Sequence, residues 1–253
     1  MKKLIRRLAV ILCVIAVGCA GVGIYKYFQE KNAGQEYEKL KAEMEKQPSS
    51  ESTTEEQTSL EIPIDFVALQ KENPEAYAWI KVDGTNIDYP ILQSETDNAY
   101  YLTHTIENKE SPEGAIFTEN YNTKTFEDTN TVIYGHNMKN GSMFRTLHNY
   151  MDKDFFNKNR DVTIYTPDEV LHYKIFAAYL SDARHILKSY DFSNKQIYQN
   201  YIDTIFSMRS MDAFVDTSMK VTNDDKIITM STCYAGLSDR RYLVQAVLVS
   251  IEK

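Results

Sequence analysis

Eight short runs of apolar, β-branched and aromatic residues follow one another between residues 60 and 253, and they constrain the fold more than any other feature. Asp-Gly, Asn-Gly and Pro-Asp pairs stand between several of them, as is typical of turns between strands. The intervening segments leave little room for crossover helices. The sequence therefore predicts a mainly antiparallel, eight-stranded β-barrel with a few inserted helices. The predicted strands cover residues 79–82, 87–92, 115–117, 131–135, 162–166, 171–181, 227–232 and 242–251.

Three stretches within this region are predicted to be helical. A short helix over residues 65–72 is stopped by Pro74, and a second covers residues 143–151 after the fourth strand. The third covers residues 193–207, where Ser193 is placed to cap the helix and apolar residues recur at helical spacing. These helices interrupt the strand pattern without replacing it.

The N-terminal 28 residues have the composition of a membrane anchor. Residues 8–24 carry no charge, and adding Tyr25, Tyr27 and Phe28 gives a 21-residue span, about 31 Å long as a helix. Basic residues precede this span and acidic residues soon follow it, so the positive-inside rule places the N-terminus in the cytoplasm. A cleaved signal peptide is the alternative, but a small-x-small cleavage site is lacking. Residues 1–28 are therefore predicted to be a cytoplasmic tip and an uncleaved, single-pass transmembrane helix in the cell membrane.

Residues 29–59 are predicted to form a polar tether outside the membrane. Residues 29–47 are rich in Glu and Lys and are compatible with a solvated helix, whereas residues 48–59 are too polar to bury a core and are predicted to be disordered. The remaining 194 residues, 60–253, contain no further low-complexity break. They are long enough for one extracellular domain with a sizeable core.

The charge of the chain argues against a broad nucleic-acid-binding surface. Residues 25–253 hold 24 of the 28 basic side chains and all 36 acidic ones, which gives this part a formal charge of −12. A surface that neutralises phosphates needs the opposite balance. No nucleic-acid partner is therefore expected.

The three cysteines are unevenly placed, which excludes a disulfide framework. Cys13 and Cys19 lie in the apolar N-terminal run, and only Cys233 lies in the predicted domain. Strand alternation places Cys233 at a strand end, on the more polar face with Thr229 and Ser231. A lone cysteine is often a small buried hydrophobe. An unpaired thiol outside the membrane is open to oxidation, however, so Cys233 is the candidate nucleophile.

A nucleophilic thiol needs a base or an imidazolium partner, and one of the five histidines differs in its setting from the rest. His136 ends the apolar run of the fourth strand and follows Gly135, which permits an unusual backbone. Its ring is therefore expected to project from the rim of the sheet, as Cys233 does. The alternative is a hydrogen-bonded loop histidine. The other four are interpreted as surface or half-buried residues: His104, His148, His172 and His185.

Acyl transfer also develops an oxyanion, and two arginines directly precede the last predicted strand. Tyr242 begins an all-apolar face of that strand, whereas Arg241 shares the parity of Gln245. Arg240 would point into the core if the strand continued backwards, so it is expected to stay in the loop. Arg241 is therefore the better candidate for a positioned guanidinium. The alternative for the pair is a solvated strand start.

These residues stand in motifs that resemble those of a known family. Tyr134-Gly-His-Asn-Met138, Thr229-Met-Ser-Thr-Cys233 and an arginine entering the last strand resemble the signature of sortases, the membrane-anchored cysteine transpeptidases of Gram-positive bacteria. The resemblance is closest to class B sortases and covers residues 65–253. Met230 stands where the family more often has leucine, which is a change of similar size at a core-facing position.

The resemblance implies a sortase barrel and a cysteine transpeptidase activity. Cys233 would attack the carbonyl carbon of a threonine in a C-terminal sorting motif and form a thioacyl enzyme. His136 would protonate the leaving amine and later deprotonate the incoming one. Arg241 would stabilise the oxyanion or hold the substrate backbone.

The resemblance also implies partners and further contacts. Asn137, Ser231 and Thr232 are the predicted substrate-binding residues, and the helix over residues 193–207 would wall one side of the groove. The partners would be the sorting-motif peptide of a secreted protein and an acceptor amine, either of a peptidoglycan precursor or of a pilin lysine. No metal and no cofactor are implied.

Two other classes of function stay open at this level. A Cys/His cell-wall peptidase would use the same groups with water as the acceptor, although the order of His before Cys differs from the common papain-like order. A non-catalytic, anchored binding module would leave Cys233 inert. Products formed with and without an added amine distinguish the first alternative, and thiol labelling distinguishes the second.

Overall fold

The computed structural model describes residues 18, 21, 36–45, 60–234 and 236–253. None of the helices in these residues is both long and apolar enough to cross a membrane. The predicted anchor, residues 1–28, lies outside the described residues apart from Gly18 and Gly21. Residues 29–35 and 46–59 of the predicted tether also lie outside them.

Nine strands of the described residues form one sheet, and eight of them are the predicted ones. The last strand begins at Leu237, five residues earlier than predicted. The additional strand has only two residues, too few for an alternating pattern to be recognised. In chain order the strands are β1 (Ala76–Val82), β2 (Asp88–Leu92), β3 (Ile116–Thr118), β4 (Asn130–Tyr134), β5 (Asp161–Tyr165), β6 (Val170–Asp182), β7 (Phe214–Val215), β8 (Ile227–Tyr234) and β9 (Leu237–Glu252).

The sheet closes into an eight-stranded barrel because β5 pairs with both β1 and β6. The order around the barrel is β5-β1-β2-β3-β4-β8-β9-β6, and β7 adds to β6 outside this ring. Among the described strands, β2–β3 and β4–β8 are the parallel pairs and the others are antiparallel. The predicted mainly antiparallel, eight-stranded barrel is therefore confirmed. The β4–β8 pair has the greatest consequence for the site, because parallel strands end at the same rim.

Short helices pack on the barrel, and three of them lie where the sequence predicts helices: Phe66–Glu72, Phe144–Met151 and Lys195–Phe206. Asp65 caps the helix that begins at Phe66, accepting a hydrogen bond from the backbone N–H of Ala68. The predicted Ser193 cap is wrong: the side chain of Asn194 caps the helix, and the Ser193 hydroxyl donates to Asp191 instead. The described helices are α1 (residues 36–44), α2 (Phe66–Glu72), α3 (Lys153–Lys158), α4 (Ile186–Ser189), α5 (Lys195–Phe206) and two 3-10 helices, Tyr100–Leu102 and Phe144–Met151.

Alternate residues of the central strands pack into two different cores. Met230 and Val244 point into the barrel and belong to its main hydrophobic cluster. Val132 and Leu243 face outward and pack with Ile202 and its neighbours on α5. Both faces of β4 and β8 are therefore buried along most of their length, and those of β9 are buried from Tyr242 to Val247, which leaves the strand ends as the accessible part.

The first helix packs on the barrel and is not solvated as predicted. Tyr37, Leu40 and Met44 recur at helical spacing and are all buried. Lys41 forms an ion pair with Asp88 at 2.6 Å. The interpretation of residues 36–45 as a solvated helix is therefore wrong, because the apolar stripe is buried while most of the Glu and Lys residues around it are exposed.

Candidate active site

Two parallel strands bring the predicted nucleophile and base to one rim of the barrel. In the β4–β8 pair, Tyr134 lies opposite Ser231. His136 follows Tyr134 by two residues, and Cys233 follows Ser231 by two residues. Strand β9 returns antiparallel to β8 and places Arg241 opposite Cys233. The fold therefore gathers the three predicted catalytic residues at one end of the sheet.

His136, Cys233 and Arg241 line one groove with a volume of about 440 Å³. This is within the range of pockets that hold small ligands or short peptide segments. The outward-facing Tyr134 and Leu243 contribute to its lining, so the groove lies on the outer face of the barrel.

The thiol of Cys233 is free and exposed to solvent. The six residues of β8 that precede it are buried, so the strand carries it out of the core just before it ends. The alternative of a small buried hydrophobe is therefore wrong for this cysteine. An exposed thiol in a groove is accessible to a substrate carbonyl.

The imidazole of His136 is half-buried, and a hydrogen bond to a backbone carbonyl orients it. Its Nε2 lies 2.8 Å from the backbone carbonyl oxygen of Leu102. A carbonyl oxygen only accepts hydrogen bonds, so Nε2 carries the proton in the neutral ring. Nδ1 is then the atom that can take a proton from the thiol.

Gly135 allows the chain to pass close to its neighbours just before His136. A Cβ atom at this position would lie 2.5 Å from Cδ1 of Ile116 and 2.7 Å from Cγ of Phe144. Gly135 is not among the glycines with positive φ. The prediction of an unusual backbone here is therefore wrong, and the physical reason for the glycine is the close approach.

Arg241 lies in the groove, whereas Arg240 is not part of its lining. The guanidinium Nη1 of Arg241 donates to the backbone oxygens of Ser238 and Arg240, at 3.1 and 2.9 Å. Arg240 is exposed and lies within β9, opposite Asp182, so the prediction that it stays in a loop is wrong. The β8–β9 hairpin extends beyond the buried part of the barrel. Arg240 is therefore exposed, although strand alternation places it on the side that faces the core.

The groove extends from the three residues into a polar cluster that the sequence analysis missed. Burial raises the pKa of Tyr134, and the nearby Glu119 carboxylate raises it further, whereas the charge of Arg241 acts in the opposite direction. The Tyr134 hydroxyl donates to Oε2 of Glu119 at 3.1 Å. His185 Nε2 lies 2.8 Å from the same oxygen, and both side chains are mostly buried, with 28% and 14% exposed.

No local pattern could have identified this cluster, because its members come from three distant segments. Glu119 directly follows β3, and His185 directly precedes α4. Each taken alone is an ordinary polar residue near a turn. Within the described ranges, no three His, Cys, Asp or Glu side chains are grouped so that they could hold a metal ion.

The predicted substrate-binding residues lie in three different settings. Ser231 and Thr232 line the groove but are only 5% and 2% exposed, and the buried Thr232 Oγ1 has no hydrogen-bond partner in the part of the chain that the structure describes. Asn137 is not part of the groove lining. Its Nδ2 donates to the backbone oxygen of Cys233 at 3.0 Å. The substrate roles of the three residues stay predictions.

The prediction that the helix over residues 193–207 walls the groove is wrong. Residues 182–186 and Lys188, at the end of β6 and in α4, line the groove, and α5 does not. α5 packs its buried residues against the outer core instead. The four-residue helix α4 was too short to be recognised by periodicity.

These groups define a class of enzyme. An accessible thiol, an imidazole with a free nitrogen and a guanidinium in one groove are the components of acyl transfer through a thioacyl intermediate. The family model of the sortase domain matches residues 80–249, so the chain belongs to the sortase family. Its similarity to class B members makes it a class B sortase-type cysteine transpeptidase.

Three relatives illustrate this similarity. The chain is 38% identical to sortase B of Listeria monocytogenes over 165 residues, which cover 65% of this chain and 65% of that protein. It is 26% identical to sortase B of Staphylococcus aureus over 253 residues, which cover 99% of each. The crystal structure of sortase B from Bacillus anthracis superposes with a TM-score of 0.70 and 30% identity, covering 90% of this chain and 99% of that one.

Proposed function

We propose that this protein cleaves a C-terminal sorting motif of secreted proteins after a threonine and transfers the acyl group to an amine of a peptidoglycan precursor. One observation carries the proposal: His136, Cys233 and Arg241 line the same groove at one rim of the barrel. The family assignment supports the reaction type.

The reaction begins with the thiol of Cys233. Its proton passes to Nδ1 of His136, and the sulfur forms a bond to the threonine carbonyl carbon. The carbonyl oxygen becomes an oxyanion, which the Arg241 guanidinium stabilises electrostatically. When the oxyanion collapses, the C–N bond breaks and His136 returns the proton to the leaving amine. A thioacyl enzyme remains.

The second half of the reaction reverses these proton movements. The acceptor amine enters the groove and loses a proton to His136 as its nitrogen attacks the thioacyl carbon. The new C–N bond forms and the C–S bond breaks. Cys233 leaves as a thiolate and recovers its proton from the imidazolium. The product is an amide, and no oxidant or cofactor is consumed.

The groove suits an extended peptide better than a compact ligand. It follows the outer face of the barrel, and Ser231 and Thr232 lie in it beside the thiol. The outward-facing Ser231 hydroxyl and the backbone of Thr232 are the proposed contacts for the sorting motif, because Thr232 shares the inward parity of Met230 and its Oγ1 is buried.

The proposed location is the cell membrane, with the N-terminus in the cytoplasm and the catalytic domain outside. The uncharged residues 8–24 and the basic residues before them support this proposal. It agrees with the chemistry, because sorting-motif proteins and wall precursors meet at the outer face of the membrane.

A fluorogenic peptide library of sorting motifs tests the proposed reaction. The purified full-length protein should cleave one class of motif, and Cys233→Ala should abolish cleavage while the circular dichroism spectrum stays unchanged. Mass spectrometry with and without an added amine should give the amide product only when the amine is present. Thiol-dependent cleavage that persists in Cys233→Ala would refute the proposal.

Two alternatives concern the acceptor. A pilin-polymerising role is supported by one structural neighbour, a class B sortase of Streptococcus pyogenes that is involved in pilus biogenesis and is 32% identical. A lysine-containing pilin peptide as the preferred acceptor in the same assay would favour this role. A Cys/His peptidase would give only the hydrolysed product, whatever amine is added.

A further inference from the structure

Asn137 directly follows the catalytic histidine in the chain, yet its side-chain contacts indicate a role other than substrate binding. Its Nδ2 donates to the backbone oxygen of Cys233 at 3.0 Å. Its Oδ1 accepts a hydrogen bond from Nη1 of Arg145 at 3.1 Å. Asn137 therefore connects the backbone of the nucleophile to a cation that is not part of the groove lining.

The loop that carries Asn137 is closed on itself. The backbone N–H of Phe144 donates to the carbonyl oxygen of His136 at 2.9 Å. Asn137 and Met143 form an isolated β-bridge, and Met143 has a left-handed φ of 55°. The loop thus returns the chain from His136 to the start of the 3-10 helix Phe144–Met151, where Arg145 stands.

The same 3-10 helix also packs on β8, which carries Cys233, and on β9, which carries Arg241. The ring of His148 lies 5.3 Å from Tyr242 and 5.9 Å from Tyr234, measured between ring centroids. Its Nδ1 lies 3.2 Å from the backbone oxygen of Arg145. A carbonyl oxygen only accepts, so Nδ1 donates to it, and burial lowers the pKa of His148, which favours the neutral ring. Arg145 is thereby held at two points: its backbone oxygen binds His148, and its guanidinium binds Asn137.

We propose that Asn137 and Arg145 are positioning residues that hold Cys233 in register with His136. His136 and Asn137 are adjacent, so the bond from Asn137 to the Cys233 carbonyl ties the backbones of base and nucleophile together. Arg145 keeps the Asn137 amide in the orientation in which Nδ2 faces Cys233, because a guanidinium can only donate and must meet Oδ1. This inference rests on the proposed reaction at Cys233.

The proposal changes the role assigned to Asn137 from the sequence. A substrate contact at Asn137 would affect mainly the binding of the peptide. A positioning role would affect mainly the chemical step, since a displacement of about 1 Å between reacting groups can cost about a hundredfold in rate. The two roles therefore predict different kinetic signatures.

The test compares four single variants and one double variant of the full-length protein in peptide turnover and in alkylation of Cys233 by iodoacetamide across a range of pH. Arg145→Met should lower kcat by about tenfold with KM nearly unchanged, as expected for the loss of one hydrogen bond from a charged donor. Arg145→Lys should recover much of this loss, because a single donor contacts Asn137. Asn137→Ala should lower kcat by about a hundredfold. Lys139→Met, which removes another exposed cation from the same loop, should behave as the wild type.

The double variant Asn137→Ala with Arg145→Met gives the sharpest outcome. Because Arg145 acts through Asn137, the double variant should be no slower than Asn137→Ala alone. The pH profile of alkylation should shift in Arg145→Met and in Asn137→Ala, since the Cys233 thiol is then no longer held in position beside His136. Additive losses, a rise in KM alone, or an unshifted alkylation profile would each overturn the proposal. Alkylation of Cys233 does not depend on turnover. The alkylation measurement therefore tests the positioning role even if no sorting peptide is cleaved and the proposed function fails.

Discussion

Replacing Gly135 by alanine should damage both the stability of the barrel and the geometry of the base. The new Cβ would lie 2.5 Å from Cδ1 of Ile116 and 2.7 Å from Cγ of Phe144, closer than ordinary contacts allow. Ile116 and Phe144 are fully buried and cannot simply move into solvent. Overpacking of this kind costs about 1–3 kcal/mol. For a domain of this size that corresponds to a fall in Tm of roughly 2–12 °C.

The catalytic effect should exceed the effect on stability. The backbone N–H of Phe144 donates to the carbonyl oxygen of His136, so a displaced Phe144 also displaces the base. A shift of about 1 Å would lower kcat/KM by about a hundredfold. Thermal unfolding by circular dichroism and turnover of the best sorting peptide measure the two effects. Gly141→Ala is the matched control: its φ of +92° makes alanine strained, but no atom of the described residues lies within 4 Å of the new Cβ. It should lose about 1 kcal/mol of stability and retain its turnover.

A double variant tests whether the close approach is the cause. Ile116→Val removes the Cδ1 atom that lies nearest to the new Cβ. Combined with Gly135→Ala, it should therefore destabilise the protein less than the sum of the two single changes. Strict additivity, or a Gly135→Ala variant that melts and turns over like the wild type, would refute the reasoning from steric contact.

Three further predictions follow from other parts of the structure. Arg241→Ala should lower kcat/KM by orders of magnitude, whereas Arg240→Ala should change it by less than about threefold, because only Arg241 lies in the groove; steady-state kinetics that rank them the other way would contradict the assignment. Burial raises the pKa of Asp216, but hydrogen bonds that include one from Arg160 outweigh it and lower the pKa to about 2 from 3.8. Its stabilisation is therefore complete above about pH 4 and lost as the pH falls through 2, so Asp216→Asn should cost up to about 2 kcal/mol in urea unfolding at pH 7 and little near pH 2. Tyr37→Ala should lower the free energy of unfolding by about 3–5 kcal/mol, since it removes a buried ring and a hydrogen bond to the Gly114 carbonyl; an unchanged melting curve would mean that α1 does not stabilise the domain.

Short-range patterns were sufficient for the barrel and for the orientation of its central strands. The alternation over β8 correctly separates the inward Met230 from the outward Ser231 and Cys233. The same reasoning over β9 separates Tyr242 from Arg241. Such parity arguments succeed because a strand has a period of two wherever one face meets a core.

Contacts between distant segments were not accessible in this way. The approach of His185 to Glu119 joins residues that are 66 positions apart, and neither belongs to a recognisable motif. Tyr37 and Lys41 of α1 contact a barrel whose first strand begins at Ala76. In both cases the partner is determined by the closed barrel, so the individual residues carry no local signal.

The catalytic arrangement depends on the relative direction of β4 and β8, which is neither a short-range pattern nor a contact between isolated residues. Parity determines which face of β8 carries Cys233, but it does not determine which rim of the barrel His136 reaches. If β4 and β8 were antiparallel, the ends of the five-residue β4 would separate base and nucleophile by roughly 16 Å. The parallel pairing, with Tyr134 opposite Ser231, brings both residues to the same rim. Strand direction, which hydrophobic periodicity does not encode, therefore decides whether this thiol has a base, and the motif resemblance supplied that information where the periodicity could not.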